Sequence, residues 1–235
     1  IKINHDKNFV QNSKKKLIKE DQFFENSAFV NTFNQSEFRR HFIYITGGNV
    51  ENYISNRFFL VDIYNRQTKP LPNMNEARTE HSTIIDNNFL YVVGGRKKTS
   101  AEKFDFSKKK WINLPSISIG NFMKFSEIKN PNLNIFNSYL YSFFGLCNSE
   151  FINYVFRLNV KLNESNWEKV NYKNFSNIDL GRIFCGVKKD SNRERRIVFV
   201  GGMTQTKNFT NDVFTFDYVN SSFNSSKLID DEKMV

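Results

Sequence analysis

Short apolar runs separated by polar turns fill this chain, and three of them close on a glycine pair. They are "FIYITGG" at Phe42–Gly48, "FLYVVGG" at Phe89–Gly95 and "IVFVGG" at Ile197–Gly202. Their β-branched and aromatic content predicts strands. "FLYVV" is almost continuously apolar, which predicts a strand covered on both faces. A weaker relative, "YLYSFFG", places Phe144-Gly145 where the pair belongs. From Gly47 through Gly94 and Phe144 to Gly201 the signal recurs roughly every 50 residues, the period of a repeat architecture.

Other positions keep the register. "FDFSKKKW" sets Phe104-Asp105 ahead of Trp111, and "FDYVNSSF" sets Phe216-Asp217 the same distance ahead of Phe223. Val61-Asp62 holds the aromatic-Asp place in an earlier copy, and Leu158-Asn159 precedes Trp167 after a longer loop. Leu71-Pro72 matches Leu114-Pro115. The clearest copy predicts four strands, at Ser82–Ile85, Phe89–Val93, Ser100–Phe104 and Trp111–Asn113, with Asp86-Asn87-Asn88 as a tight turn. No segment carries a sustained helical period with capping signals. A buried strand that must stop and turn beside a crowded backbone explains the glycines, which accept positive φ and lack a Cβ. Trp111, Trp167 and Phe223 are expected on the outer strand, where a large apolar body fills the gap between neighbouring sheets.

These residues resemble the Kelch repeat: a strand ending in Gly-Gly, an aromatic-Asp pair, Trp, Leu-Pro, then "NMNEARTEHS" leading into the next first strand. Val61 to Pro115 carries the resemblance most fully, and the copy at 122–170 is degenerate, lacking the second Gly and an Arg before its first strand. The resemblance implies an all-β fold, a β-propeller segment of four-stranded blades. Blades are expected at 24–72, 81–115, 122–170 and 182–228, with 1–20 as the outer strands of a partial blade. Inner strands to complete that partial blade would have to follow residue 228, where only "IDDEKMV" stands, so the ring is not expected to close within this chain. Opening on Ile1, the chain reads as a piece of a longer protein.

Composition narrows the chemistry. Aromatics make up 16% of 235 residues, mostly Phe, enough for a packed core. The two cysteines, Cys147 and Cys185, form no disulfide framework and read as free thiols in a reducing, cytoplasmic setting. No stretch is long and apolar enough to span a bilayer as a helix. The net charge of +10 gathers at Lys14–Lys16, Arg39-Arg40, Lys108–Lys110, Lys188-Lys189 and Arg193–Arg196. Most of these fall in expected turns, either as solvated loops or as a surface favouring acidic partners. His5, His41 and His81 lie far apart, and no hydrolase, zinc-protease or phosphate-loop motif occurs. The expectation is a protein that is not an enzyme and holds no cofactor or metal. His81 reads as a structural residue bonded within its own blade.

In Kelch binding modules an Arg opening the innermost strand commonly reaches the pocket at one mouth of the ring. Arg78 and Arg182 match that place, and Ser100 matches a small polar residue that often joins them. The competing reading for each Arg is a hydrogen bond inside its blade or plain surface charge. The resemblance thus implies a protein-interaction module whose loops at one end recognise a partner, possibly through an acidic peptide. It would serve as the substrate-recruiting part of a ubiquitin-ligase adaptor or as a cytoskeletal linker. Two alternatives stay open: an enzyme or small-molecule-binding propeller, and a basic surface for nucleic acid or anionic lipid. No specific nucleic-acid partner is expected.

Overall fold

The computed structural model describes residues 28–33, 41–86, 88–118, 126–162, 165–174, 179–189 and 195–226. Among these every regular element is a strand. β1 (Ala28–Phe33) and β2 (His41–Thr46) are followed by a small ribbon, β3 (Asn49–Val50) with β4 (Tyr53–Ile54). β5 (Phe58–Asp62) and β6 (Gln67–Leu71) then complete an antiparallel sheet in the order β1-β2-β5-β6. The second sheet is β7 (Ser82–Asp86), β8 (Phe89–Val93), β9 (Ala101–Asp105) and β10 (Lys110–Leu114), in chain order. The third has β11 (Asn132–Phe136), β12 (Tyr139–Phe143), a ribbon of β13 (Leu146–Cys147) and β14 (Glu150–Phe151), β15 (Val155–Asn159) and β16 (Glu168–Lys169). The fourth runs β18 (Gly186–Lys189), β19 (Arg196–Val200), β20 (Val213–Asp217) and β21 (Ser222–Ser226). Here the sequence expectation needs correcting, because β17 (Lys173–Asn174) lies parallel beside β21 as a fifth, outermost strand. It arrives from the third sheet and covers an edge that would otherwise be open.

The sheets stack through their faces. Along β8, Leu90 and Val92 join Phe58, Met74, Phe104 and Trp111 in the core between the first two sheets. Tyr91 and Val93 point the other way, into the core shared with Leu133, Leu140 and Phe156 of the third sheet. The near-continuous apolar run therefore reflects two cores served by one strand of period two. β12 repeats the scheme: Leu140 faces back to the second sheet, while Tyr141 and Phe143 face Phe199, Phe214, Phe216 and Phe223 of the fourth. Each such side chain contributes about 1.5–3 kcal/mol through burial. The innermost strand β7 lies between β1 and β11, as consecutive blades of a propeller place their first strands side by side.

Repeated polar devices fix the blades. Asp62, Asp105 and Asp217 each accept N–H groups from the turn that follows: Asn65, Ser107 with Lys108, and Val219 with Asn220. Asn159 does the same for Lys161. The aromatic-Asp signature is thus a buried ring plus a carboxylate that closes the hairpin to the outer strand. The indole of Trp111 donates to the Pro72 carbonyl at 2.7 Å, and Trp167 donates to Pro115 at 2.8 Å, so the Trp and Leu-Pro signatures bond one sheet to the one before it. Trp167 does so from just before β16 rather than from within the strand. Phe223 has no N–H and instead meets Tyr172 edge-on at 5.0 Å.

The glycine pairs form the inner joints. Gly48 donates its N–H to the Arg78 carbonyl and Gly95 to that of Ile128, each at 2.8 Å. A Cβ on Gly47 would collide with the Arg78 carbonyl oxygen, and one on Gly94 with that of Ile128. Gly94 also holds φ +72°, which a side chain rarely adopts. In the third sheet Phe144 takes the first glycine's place at φ +58° and sends its ring into the aromatic core toward the fourth sheet. Residues 1–27 and 227–235, on which the partial blade and ring closure depend, lie outside the described residues.

Candidate functional site

The last residue of β8, Val93, pairs with the first of β7, Ser82. The loops that follow the glycine pairs and the connections that lead into each new sheet therefore emerge at one end. Arg78, Ser100 and Arg182 all stand on segments at that end.

Arg78 is buried, and its five N–H donors are all engaged within the chain. Nε donates to Glu102 Oε1 at 3.0 Å, and Nη1 donates to the carbonyls of Gly94 and Ser100 at 2.8 and 2.9 Å. Nη2 reaches Ser100 Oγ at 2.9 Å and Glu76 Oε1 at 3.3 Å. Glu102 is itself fully buried and accepts the Asn75 N–H at 2.8 Å. Ser100 donates to Glu76, whose other carboxylate oxygen bonds Lys98. Burial alone would raise the Glu76 carboxyl, but Lys98, Ser100 and Arg78 hold it below the usual range. The structure thus brings Arg78 and Ser100 together as a lock on loop 94–100. It leaves the guanidinium no donor for the acidic partner expected of it.

Arg182 is buried in the equivalent place of the fourth sheet. It donates to the carbonyls of Asp179 and Gly201 and, at 2.7 Å, to Asp212 Oδ2, while its guanidinium lies over the Phe214 ring. That contact draws the Asp212 carboxyl below its ordinary value. Arg182 therefore ties both ends of loop 201–212. Ile128 holds this place in the third sheet, with no side-chain lock.

His81 also differs from expectation. Its Nε2 lies 2.8 Å from Thr46 Oγ1, on β2 of the preceding sheet, so it bonds between blades rather than within its own. Burial, with the Arg78 charge nearby, brings its pKa down to about 3, so at neutral pH the ring is uncharged. Among the described residues no group of three His, Cys, Asp or Glu could hold a metal ion, and no helix is long and apolar enough to cross a membrane.

What faces solvent here was not visible in the sequence pattern. Tyr53 is 77% exposed on the β3–β4 ribbon, with Ile54 beside it. Phe209 is 76% exposed on loop 201–212, and Phe184 is 62% exposed two residues after Arg182. Phe184 sits at φ +59°, where Glu80 holds the matching place of the second sheet at φ +57°. A bulky aromatic in that backbone region, turned to water, runs against both sterics and burial. Met203 bridges to Ile183 on one side and Phe209 on the other, which brings the segments carrying the two exposed rings together. Exposed Arg96 and Lys97 add positive charge on loop 94–100. Of these exposed rings, Phe209 stands on a loop that the buried Arg182 ties at both ends, and Phe184 lies two residues after that arginine.

Comparison with known proteins adds to this. Over 97 residues, 40% of the chain, it is 28% identical to Kelch repeat protein C2 of vaccinia virus and, to the same degree, of cowpox virus. Over 84 residues, 33% of the chain, it is 33% identical to an F-box/kelch-repeat protein of Arabidopsis thaliana. The matched segments span 19% and 21% of those relatives, about a fifth of their length. No protein-family model matches the chain.

Proposed function

We propose, from the similarity of part of the chain to Kelch-repeat proteins, that it works as an interaction scaffold whose glycine-pair end recognises a partner protein. The observation that carries the proposal is the exposure of Tyr53, Phe184 and Phe209 at one end, on loops anchored to a rigid core. Phe184 and Phe209 would insert into the partner. Arg96 and Lys97 would meet an acidic segment, taking the contact that Arg78 and Arg182 cannot make. Arg78, Ser100 and Arg182 would act as positioning residues, holding loops 94–100 and 201–212 in shape. A module that recruits partners for an attached domain fits the joint F-box and kelch naming of the plant relative.

Affinity capture from cell extract, comparing variants, tests this. Phe184→Ser/Phe209→Ser should lose bound partners at least tenfold, since a central aromatic anchor is worth about 2 kcal/mol or more. Arg96→Glu/Lys97→Glu should reduce the same partners, while Val219→Ser at the other end retains them. An identical partner set across all variants would refute the site.

A further inference from the structure

We propose that the opposite end of the sheets docks on an anionic lipid surface. That end carries the turns between third and outer strands, at 62–67, 105–110 and 217–222, and residues 159–162, at the end of the third strand of the third sheet. Ile63, Tyr64, Leu162 and Val219 are exposed there, on turns of three different sheets. None of these turns needs an apolar residue at its tip, because the preceding Asp or Asn closes it. Charge is sorted across the same end, with one exception: the Glu168 side chain, at the start of β16, is 58% exposed and pairs with Arg157. The carboxylates of Asp105 and Asp217 turn inward, 4% and 2% exposed, onto the N–H groups of their own hairpins. Asp62 bonds Asn65 in the same way, and Asp86 is half-buried at the end of β7. The cations point outward: the Lys108 side chain is 73% exposed, and Lys109, Lys110 and Lys161 are exposed with it. Arg195, half exposed, leans on Asp217.

Apolar tips standing among outward lysines on a rigid frame match the two needs of interfacial binding, insertion below the headgroups and attraction to their charge. Aliphatic tips such as Leu162 and Val219 favour lipid over nucleic acid, whose bases stack on aromatic faces and whose phosphates need only the cations. This surface is independent of the glycine-pair end and stands or falls without it.

Flotation of the full chain with vesicles tests the inference, using phosphatidylserine mixed with phosphatidylcholine against phosphatidylcholine alone. The chain should float with the anionic vesicles and be released by salt. Each basic residue near such a surface changes partitioning roughly fivefold, so Lys108→Gln/Lys109→Gln/Lys110→Gln should weaken it about a hundredfold. Tyr64→Ser/Leu162→Ser should weaken it about tenfold or more at unchanged charge. Phe184→Ser/Phe209→Ser should float like the parent, and the melting temperatures of all variants establish that they are folded. The inference is overturned if the chain ignores anionic vesicles at low salt. It is also overturned if folded Tyr64→Ser/Leu162→Ser floats as well as the parent while random single-stranded oligonucleotide displaces the chain, which would assign the surface to nucleic acid.

Discussion

Arg78 holds a buried charge, and its worth lies in what its removal would strand. Among the described residues, Arg78 and the Asn75 N–H compensate the buried carboxylate of Glu102. Arg78→Met should therefore cost about 3–5 kcal/mol in urea unfolding, and Arg78→Met/Glu102→Leu should recover most of that loss. A single variant within about 1 kcal/mol of the parent would show that the pair is not the lock described. His81 makes a second residue-scale prediction. Its folded pKa of about 3 lies below the ordinary value of 6.5, so the unfolded chain binds the proton first as pH falls. The stability it contributes is complete above pH 6.5 and is lost as pH drops toward 3, by up to about 1.4 kcal/mol per unit. His81→Gln should flatten that slope, measured as unfolding free energy against pH, and an unchanged slope would place the acid sensitivity elsewhere. The position of each Arg was legible from "NEARTEHS" and "LGRIFCG", and a hydrogen bond inside its blade stood among its readings, but its particular partners were not legible. Where the five donors of Arg78 go depends on Glu76, Glu102, the Ser100 hydroxyl and two carbonyls brought in by folding. Nor, among 26 phenylalanines, does anything in the sequence mark Phe184 and Phe209 as the ones that face water.

At the scale of the element, the joint between sheets rests on the absence of a side chain. Gly94→Ala would place a Cβ against the Ile128 carbonyl at a positive φ and should cost about 2–4 kcal/mol. Gly186→Ala, whose Cβ would meet nothing closer than 3.6 Å, is the control and should be tolerated, with both read from thermal melts. Equal effects would mean that the joint is not the sensitive point. These elements were readable because their signals are local: a glycine pair, an Asp that caps its own turn, an alternating apolar run. β17 was not, since two polar residues in parallel pairing leave no periodicity. The His81–Thr46 bond was assigned to the wrong sheet because its partner lies 35 residues upstream, where spacing carries no information.

At the scale of the whole molecule, the two ends differ in kind. One gathers the inter-sheet joints, the buried arginine locks and exposed rings of Tyr53, Phe184 and Phe209. The other gathers hairpin turns with inward carboxylates and outward lysines. The second and third sheets are bonded to the one before them by Trp111 and Trp167, and the stack presents both surfaces at once. The central claim is that partners dock on the first of these ends. Amide hydrogen exchange of the full chain, with and without a captured partner, tests it most directly. The account predicts new protection in the ribbon at 49–54 and in loops 94–100 and 201–212, with the turns at 62–67, 105–110 and 217–222 unchanged. Protection confined to those turns or to an outer strand, with the glycine-pair loops exchanging as before, would contradict it.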